Sequence, residues 1–145
     1  MLYEDDVIEA VCTYLKDQDF TILSKCATTE KGDDMIAEHP FGKYNLYIEA
    51  KGETSSKEGT NRYGMLFKGS QMLDHVAKAF YRAAKMLQQN DRNLPHRVGI
   101  ALPDNHYHRK YVGAIEQSLN KLDIIVFWVN PNKEVIVNPK NALRS

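Results

Sequence analysis

Residues 32–56 read GDDMIAEHPFGKYNLYIEAKGETSS, and this stretch decides the fold. Two short apolar segments, 34–38 and 44–51, flank HPFGK, whose proline and glycine are typical of the connection between paired strands. Asp34 opens the first segment, and Glu49 and Lys51 close the second. If the two strands form a hairpin, these three charged residues lie at one end of a sheet, where a plain core would contain apolar side chains.

The alternation of side chains along a strand predicts which of these residues share a face. Glu49 and Lys51 lie on one face, whereas Ile48 and Ala50 lie on the other. Asp34 is expected beside Glu49 or Lys51, on the same face when the pairing register agrees. The same pattern is also compatible with ordinary polar alternation on a half-exposed strand.

The three charges together suit metal-assisted hydrolysis of a phosphodiester. Two close carboxylates repel each other unless a cation lies between them. Mg²⁺ prefers hard oxygen ligands and keeps several positions for water and phosphate, so Asp34 and Glu49 are the candidate metal ligands. Lys51 is placed to orient an attacking water or to stabilise developing negative charge.

The segments around the hairpin have the periodicities of further helices and strands. Ser70 and Asp104 are the candidate N-caps of two later helices, and polar, glycine-rich 52–70 is a long loop of the kind that is often functional. The predicted helices are 4–18, 71–89 and 105–121, and the predicted strands are 20–24, 34–38, 44–51, 97–103, 124–129 and, as a short edge strand, 133–137. The order predicts an α/β fold in which antiparallel strands come first, a parallel βαβ arrangement closes a mixed sheet, and helices cover both faces.

The first predicted helix contains two glutamates that point in different directions. At 100° per residue, Glu4 projects into the apolar stripe and Glu9 projects to nearly the opposite side. A glutamate on an inward face is costly unless it is paired or bound. Glu4 is therefore either solvated at the start of the helix, where the helix dipole favours it, or directed at the metal site, and Glu9 is kept as the second candidate.

The composition is that of one globular domain spanning 1–145. Apolar residues are 43% and charged residues 26% of the chain, close to the globular average. Lys+Arg and Asp+Glu both number 19, so binding to nucleic acid requires a local basic patch. Cys12 and Cys26 lack the spacing of a metal site, and Cys12 is expected to be buried. No apolar run approaches the roughly 18 residues that span a membrane, which favours a cytoplasmic protein.

The motif and the element order resemble the PD-(D/E)xK, or restriction-endonuclease-like, nuclease superfamily, and most of all its small Mrr-type and Holliday-junction-resolvase-like members. The residues that carry the resemblance are Gly32-Asp33-Asp34-Met35-Ile36-Ala37 and Glu49-Ala50-Lys51-Gly52, preceded by a helix that contains Glu4. It implies a restriction-endonuclease-like αβββαβ core with an extra C-terminal αβ. It also implies a Mg²⁺-dependent nuclease, with Mn²⁺ as a substitute, that has catalytic Asp34, Glu49, Lys51 and Glu4. Asp33 stands where the family has proline, which leaves Asp33 and Asp34 both open as the metal ligand.

The second long helix and the loop before it contain the candidate nucleic-acid contacts. Some nucleases of the superfamily carry a Gln followed four residues later by Tyr on this helix, where the present chain has Gln71 and His75. A polar stripe on the same helix consists of Gln71, His75, Lys78, Arg82 and Lys85. For Arg82 and Lys85 a solvated surface is the favoured interpretation. The loop candidates for phosphate contact or base stacking are Lys57, Arg62, Tyr63 and Lys68, which are equally compatible with a solvated loop.

Two histidines and a tryptophan outside this region have simpler interpretations. His106 and His108 are two residues apart at the start of a helix and therefore face different directions, so we expect solvated side chains or a phosphate contact rather than a metal site. Trp128 is expected in the core.

The expected function is a metal-dependent DNA nuclease, with endonuclease activity favoured. The alternative is a catalytically inactive protein of the same fold that binds nucleic acid or regulates a partner. Cleavage of both strands of a duplex requires two active sites, which leaves a homodimer open. An unrelated small-molecule enzyme is disfavoured because the sequence has no phosphate-binding loop or nucleotide-binding fingerprint.

Overall fold

A computed structural model describes residues 1–25, 34–54, 69–89 and 95–144 of the chain. The helices are α1 (Glu4–Asp17), α2 (Gly69–Gln88), α3 (His106–Gly113) and α4 (Glu116–Lys121), and a short 3₁₀ turn covers Ala142–Arg144. The strands are β1 (Thr21–Lys25), β2 (Met35–Glu38), β3 (Asn45–Ala50), β4 (His96–Pro103), β5 (Ile124–Val129) and β6 (Val135–Asn138). The class is α/β, and a helix or strand is present at every predicted position, although the last predicted helix is divided in two.

The strands form one six-stranded mixed sheet in the order β1-β2-β3-β4-β5-β6. The first three strands are antiparallel neighbours, the pairs β3–β4 and β4–β5 are parallel, and β6 is an antiparallel edge strand. The predicted succession of antiparallel and then parallel pairing is therefore confirmed. Gly42 adopts a positive φ of 68° in the connection between β2 and β3, and its N–H donates to the carbonyl of His39 over 2.9 Å, which closes the predicted turn.

The sheet separates two apolar cores. One core joins α1 to the sheet face that carries Leu46, Ile48 and Ala50 of β3. The other joins α2, α3 and α4 to the opposite face, which carries Tyr47 of β3 and Trp128 of β5. Both faces of the sheet are covered by helices, as predicted, and Trp128 is buried in the core as expected. Cys12 is also buried, with a free thiol.

Three local predictions were wrong. The helix expected over 105–121 is interrupted after Gly113 and continues as α4 from Glu116. Asn105, rather than Asp104, caps α3, because its side-chain oxygen accepts the N–H of His108 over 2.8 Å; Asp104 instead accepts two hydrogen bonds from Arg109. Ser70 lies inside the first turn of α2 and is not its N-cap.

None of the four described helices is both long and apolar enough to cross a membrane.

Candidate active site

The register of the β2–β3 hairpin brings Asp34 and Glu49 together. Met35 pairs with Ile48, so extending the same antiparallel register by one residue places Asp34 opposite Glu49, on the same face of the sheet. The side chain of Asp34 also accepts the backbone N–H of Ala50 over 2.8 Å, and the carboxyl groups of Asp34 and Glu49 are close enough for each to affect the pKa of the other. Two carboxylates this close repel each other unless a cation lies between them.

Two cations surround the Glu49 carboxylate, which is only 3% exposed. Lys51 Nζ lies 3.3 Å from Glu49 Oε1, as expected for neighbours on one face of β3. The guanidinium of Arg82, on α2, donates to the same oxygen over 3.5 Å. Arg82 is exposed, as the solvated interpretation predicted, but it also reaches Glu49, because α2 covers the sheet face that carries Glu49.

Glu4 reaches this cluster from the start of α1, on the other side of the sheet. It is half-buried, and the charges of Asp34, Lys51 and Glu49 affect its pKa, which favours the orientation toward the site over the solvated one. Glu9 instead forms an exposed ion pair with Lys25 of β1 and does not belong to the site.

Gly52 allows the start of α1 to approach the end of β3. A Cβ at this position would lie 2.5 Å from the backbone N of Glu4 and 2.9 Å from the carbonyl carbon of Tyr3, closer than atoms can pack. The next residue, Glu53, exchanges hydrogen bonds with Leu2: its N–H donates to the Leu2 carbonyl over 2.9 Å, and its carboxylate accepts the Leu2 N–H over 2.8 Å. These contacts position the start of α1, and with it Glu4, beside the end of β3.

The acidic residues of the site hold their protons unusually tightly. Burial, followed by the negative charge of Asp34, raises the pKa of Glu4 to about 7 and that of Glu49 to about 6. Burial also raises the pKa of Asp34, although the N–H of Ala50 and the charge of Lys51 act against it. Burial is thus the largest cause of all three shifts, and the repulsion between neighbouring carboxylates, which adds to the shifts of Glu4 and Glu49, would be relieved by an added cation.

His75, on α2, lies next to Gly52 and faces this site. Its imidazole is hydrogen-bonded to the backbone of Gly52, and burial, followed by the charge of Lys51, lowers its pKa to about 4. His75 is consequently neutral near pH 7, so it would contact a phosphate as a hydrogen-bonding group rather than as a charge. Gln71 lies one turn earlier on α2 and is half-buried.

His108 lies beside this region but is not solvated, contrary to expectation. It is completely buried, and Nδ1 lies 2.8 Å from the carbonyl oxygen of Pro103. A histidine so buried and so bonded anchors the start of α3 to the end of β4. His106, two residues earlier, is exposed as predicted.

The remaining candidate contacts divide into two groups. Lys78 is exposed on α2 and lines a cleft together with Lys51 and Arg82. The loop candidates lie outside the described residues; they are Lys57, Arg62, Tyr63 and Lys68. The alternative metal ligand, Asp33, also lies outside the described residues. Of the two candidate ligands, Asp34 is the one that the described residues place opposite Glu49.

The residues present fit a small, hard cation. Within the described ranges, no three His, Cys, Asp or Glu side chains converge closely enough to hold an ion by themselves. Mg²⁺ does not require such a group, because one or two carboxylates with water and substrate phosphate are sufficient. Asp34 and Glu49 lie opposite each other and could supply that pair.

A scan of the chain against models of protein families and a search among curated proteins found no match.

Proposed function

We propose that this protein is a Mg²⁺-dependent nuclease that hydrolyses phosphodiester bonds of DNA, as an endonuclease. The observation that supports this most directly is that Asp34, which is half-buried, lies opposite the buried Glu49, whose Oε1 is 3.3 Å from the ammonium group of Lys51. Two apposed acids beside a lysine are costly to bury and have no evident value for packing. They are the groups that hydrolysis of a phosphodiester requires.

Each residue has a defined role in this proposal. Asp34 and Glu49 would hold the metal ion, which polarises a phosphoryl oxygen and lowers the pKa of a bound water. Lys51 donates hydrogen bonds to the attacking water or to the developing negative charge. Glu4, with a pKa of about 7, is suited to accept or donate a proton near neutral pH.

The order of the elements supports the finer fold assignment. A helix, three antiparallel strands, a second helix and a parallel strand precede the C-terminal helices and strands. This is the αβββαβ succession of the restriction-endonuclease-like nucleases, to which the motif bears its resemblance. We assign the chain to that fold, with α3, α4, β5 and β6 as its C-terminal extension.

A second function, binding without turnover, is favoured by one observation. Glu49 Oε1 already contacts both Lys51 and Arg82. A protein of this kind would use the cations of the site to bind nucleic acid. The two functions differ in one measurable property, which is binding of a divalent cation by Asp34 and Glu49.

A cleavage assay tests the proposed function. Supercoiled plasmid, a single strand and a four-way junction are incubated with Mg²⁺ or Mn²⁺ and with wild type, Asp34→Asn or Lys51→Ala. We expect cleavage by wild type and a loss of more than about 100-fold in rate for both variants, because each removes a group that acts on the transition state. Chelation with EDTA is expected to abolish cleavage.

The matched control is Glu9→Gln, compared with Glu4→Gln on the same helix. Glu9 lies in an exposed ion pair away from the site, so Glu9→Gln should retain full activity, whereas Glu4→Gln should lose it and change the pH profile. Equal rates for wild type and Lys51→Ala would overturn the proposal. Absence of cleavage, together with absence of Mn²⁺ binding by calorimetry, would favour the binding function.

A further inference from the structure

A cleft of about 300 Å³ opens beside the candidate active site. Its lining combines the end of β3 with one side of α2 and consists of Lys51, Ala77, Lys78, Tyr81 and Arg82. Lys51 belongs to both the catalytic motif and the cleft. A ligand in this cleft would therefore extend directly to Asp34 and Glu49.

The cleft is positively charged although the chain as a whole is neutral. Three of its five lining residues are cations, and Arg82 is 57% exposed, so part of its guanidinium is accessible beyond its contact with Glu49. From residue 75 to its end, α2 contains no acidic residue. An anionic ligand with several charges is the complement of this surface.

Tyr81 adds an aromatic ring to the same surface. Its side chain is 66% exposed, and the ammonium of Lys85 lies 5.9 Å from the ring centroid, at the outer limit of a cation–π contact. An exposed aromatic ring among cations suits a ligand that has both phosphates and flat, unstacked bases. An acidic peptide or a lipid surface would use the cations but would have no need of the ring.

We propose that the cleft binds DNA in single-stranded or locally unpaired form, with one base stacked on Tyr81 and the neighbouring phosphates held by Lys78, Arg82 and Lys51. The inference rests on the proposed function and specifies its substrate class. A base inside a continuous duplex is already stacked on both sides, so it has no face to offer Tyr81 unless it leaves the stack.

Binding measured without cleavage tests this proposal. A fluorescein-labelled 16-nucleotide single strand, the matching duplex, and a single strand with abasic positions in its centre are titrated with the full chain in EDTA, with anisotropy as the signal. We expect the single strand to bind more tightly than the duplex and the abasic strand. Tyr81→Ala should weaken binding to the single strand about tenfold, in the range for loss of one stacked base, and Tyr81→Phe should retain it.

The control variant is Phe41→Ala. Phe41 is 83% exposed and lies in the connection between β2 and β3, at the end of the hairpin far from Asp34 and Glu49, so its removal should leave binding unchanged. Photo-crosslinking of a 5-iodouracil single strand, with the peptide identified by mass spectrometry, gives an independent position for the base. We expect the crosslink at Tyr81.

Three results would overturn the inference: equal affinity of wild type and Tyr81→Ala for the single strand, equal affinity of wild type for intact and abasic strands, or competition by polyglutamate as effective as that by unlabelled single strand.

Failure of this inference and failure of the proposed function can be distinguished. Cleavage that does not depend on Tyr81 would contradict the substrate class and leave the nuclease in place. Binding that depends on Tyr81 without cleavage in Mg²⁺ or Mn²⁺ would contradict the nuclease and support the cleft.

Discussion

Glu4 shows how one side chain can couple the stability of this protein to the chemistry of its site. Its carboxyl group is partly buried beside Asp34 and Glu49, and its pKa of about 7 lies well above the ordinary 4.5. A group that binds its proton more tightly in the folded than in the unfolded chain stabilises the fold at low pH, and this contribution is lost as pH rises. For Glu4 the loss falls between about pH 4.5 and pH 7.

We predict that Glu4→Gln stabilises the cation-free protein at pH 8 and has little effect at pH 4. The carboxylate is ionised and poorly solvated at pH 8, whereas the amide has no charge to bury. We expect a gain of about 1–2 kcal/mol in the free energy of unfolding, a value discounted for the partial exposure of the group, and a melting temperature roughly 2–6 °C higher. Thermal melts at pH 4, 6 and 8 in EDTA measure it.

Two controls isolate the effect of the site. Glu9→Gln removes a surface ion pair and should change stability by less than about 0.5 kcal/mol at either pH. The Glu4→Gln variant should still lose some stability as the pH rises from 4.5 to 6, because it retains Glu49, whose pKa is about 6. If the difference in the free energy of unfolding between Glu4→Gln and wild type were the same at pH 4 and pH 8, the effect could not arise from the charge of Glu4.

Gly52 determines whether Glu4 can lie in the site at all. We predict that Gly52→Ala lowers the free energy of unfolding by about 1–3 kcal/mol, the usual cost of overpacking, because the new Cβ would meet the backbone of Tyr3 and Glu4. The matched control is Gly113→Ala, where a Cβ meets no atom within 4 Å, so stability should stay equal or rise slightly. Equal stability of the two variants in chemical denaturation would show that the start of α1 adjusts freely.

At the scale of the elements, alternation along β3 was sufficient to predict that Glu49 and Lys51 share a face. It left open which of the two lies beside Asp34, and the register of the β2–β3 pair, which places Asp34 opposite Glu49, decides this. Arg82 was not predictable in this way, because its contact with Glu49 depends on the angle at which α2 crosses the sheet. The one available signal for Arg82 was the polar stripe of α2, which includes His75 and faces the site.

His108 was missed for a similar reason: spacing along α3 does not reveal that the preceding strand lies directly beneath it.

We predict that Arg82→Ala binds Mn²⁺ more tightly than wild type, by about two- to fivefold. The guanidinium donates to Glu49 Oε1, so its removal frees an acidic oxygen and takes away a positive charge that repels the ion; exposure of Arg82 to solvent limits the gain. Calorimetric titration with Mn²⁺ measures the affinity.

Lys85→Ala is the matched control for Arg82→Ala. It removes a cation from the same helix, but Lys85 does not line the cleft, so its Mn²⁺ affinity should equal that of wild type. Weaker Mn²⁺ binding by Arg82→Ala would instead mean that Arg82 holds Glu49 in the geometry that the ion needs.

At the scale of the whole molecule, the positive and negative charges are equal in number but unevenly distributed. The chain has 19 cationic and 19 acidic residues, so no net charge attracts a polyanion, and the proposed binding of DNA would rely on local cations such as those of the cleft. Such binding has a measurable signature, since each neutralised phosphate releases condensed counterions and adds to the salt dependence of the affinity.

We predict a shallow salt dependence for binding of the single strand. Three cleft cations, Lys51, Lys78 and Arg82, correspond to a slope of about −2 in a plot of the logarithm of affinity against that of salt concentration. Lys78→Ala should reduce this slope by about 0.7, whereas Tyr81→Ala should lower affinity and leave the slope unchanged, because stacking releases no counterions. Anisotropy titrations at four salt concentrations distinguish these effects. A slope steeper than about −4 would place most phosphate contacts on cations outside the cleft, and the neutral chain would then have a second basic surface.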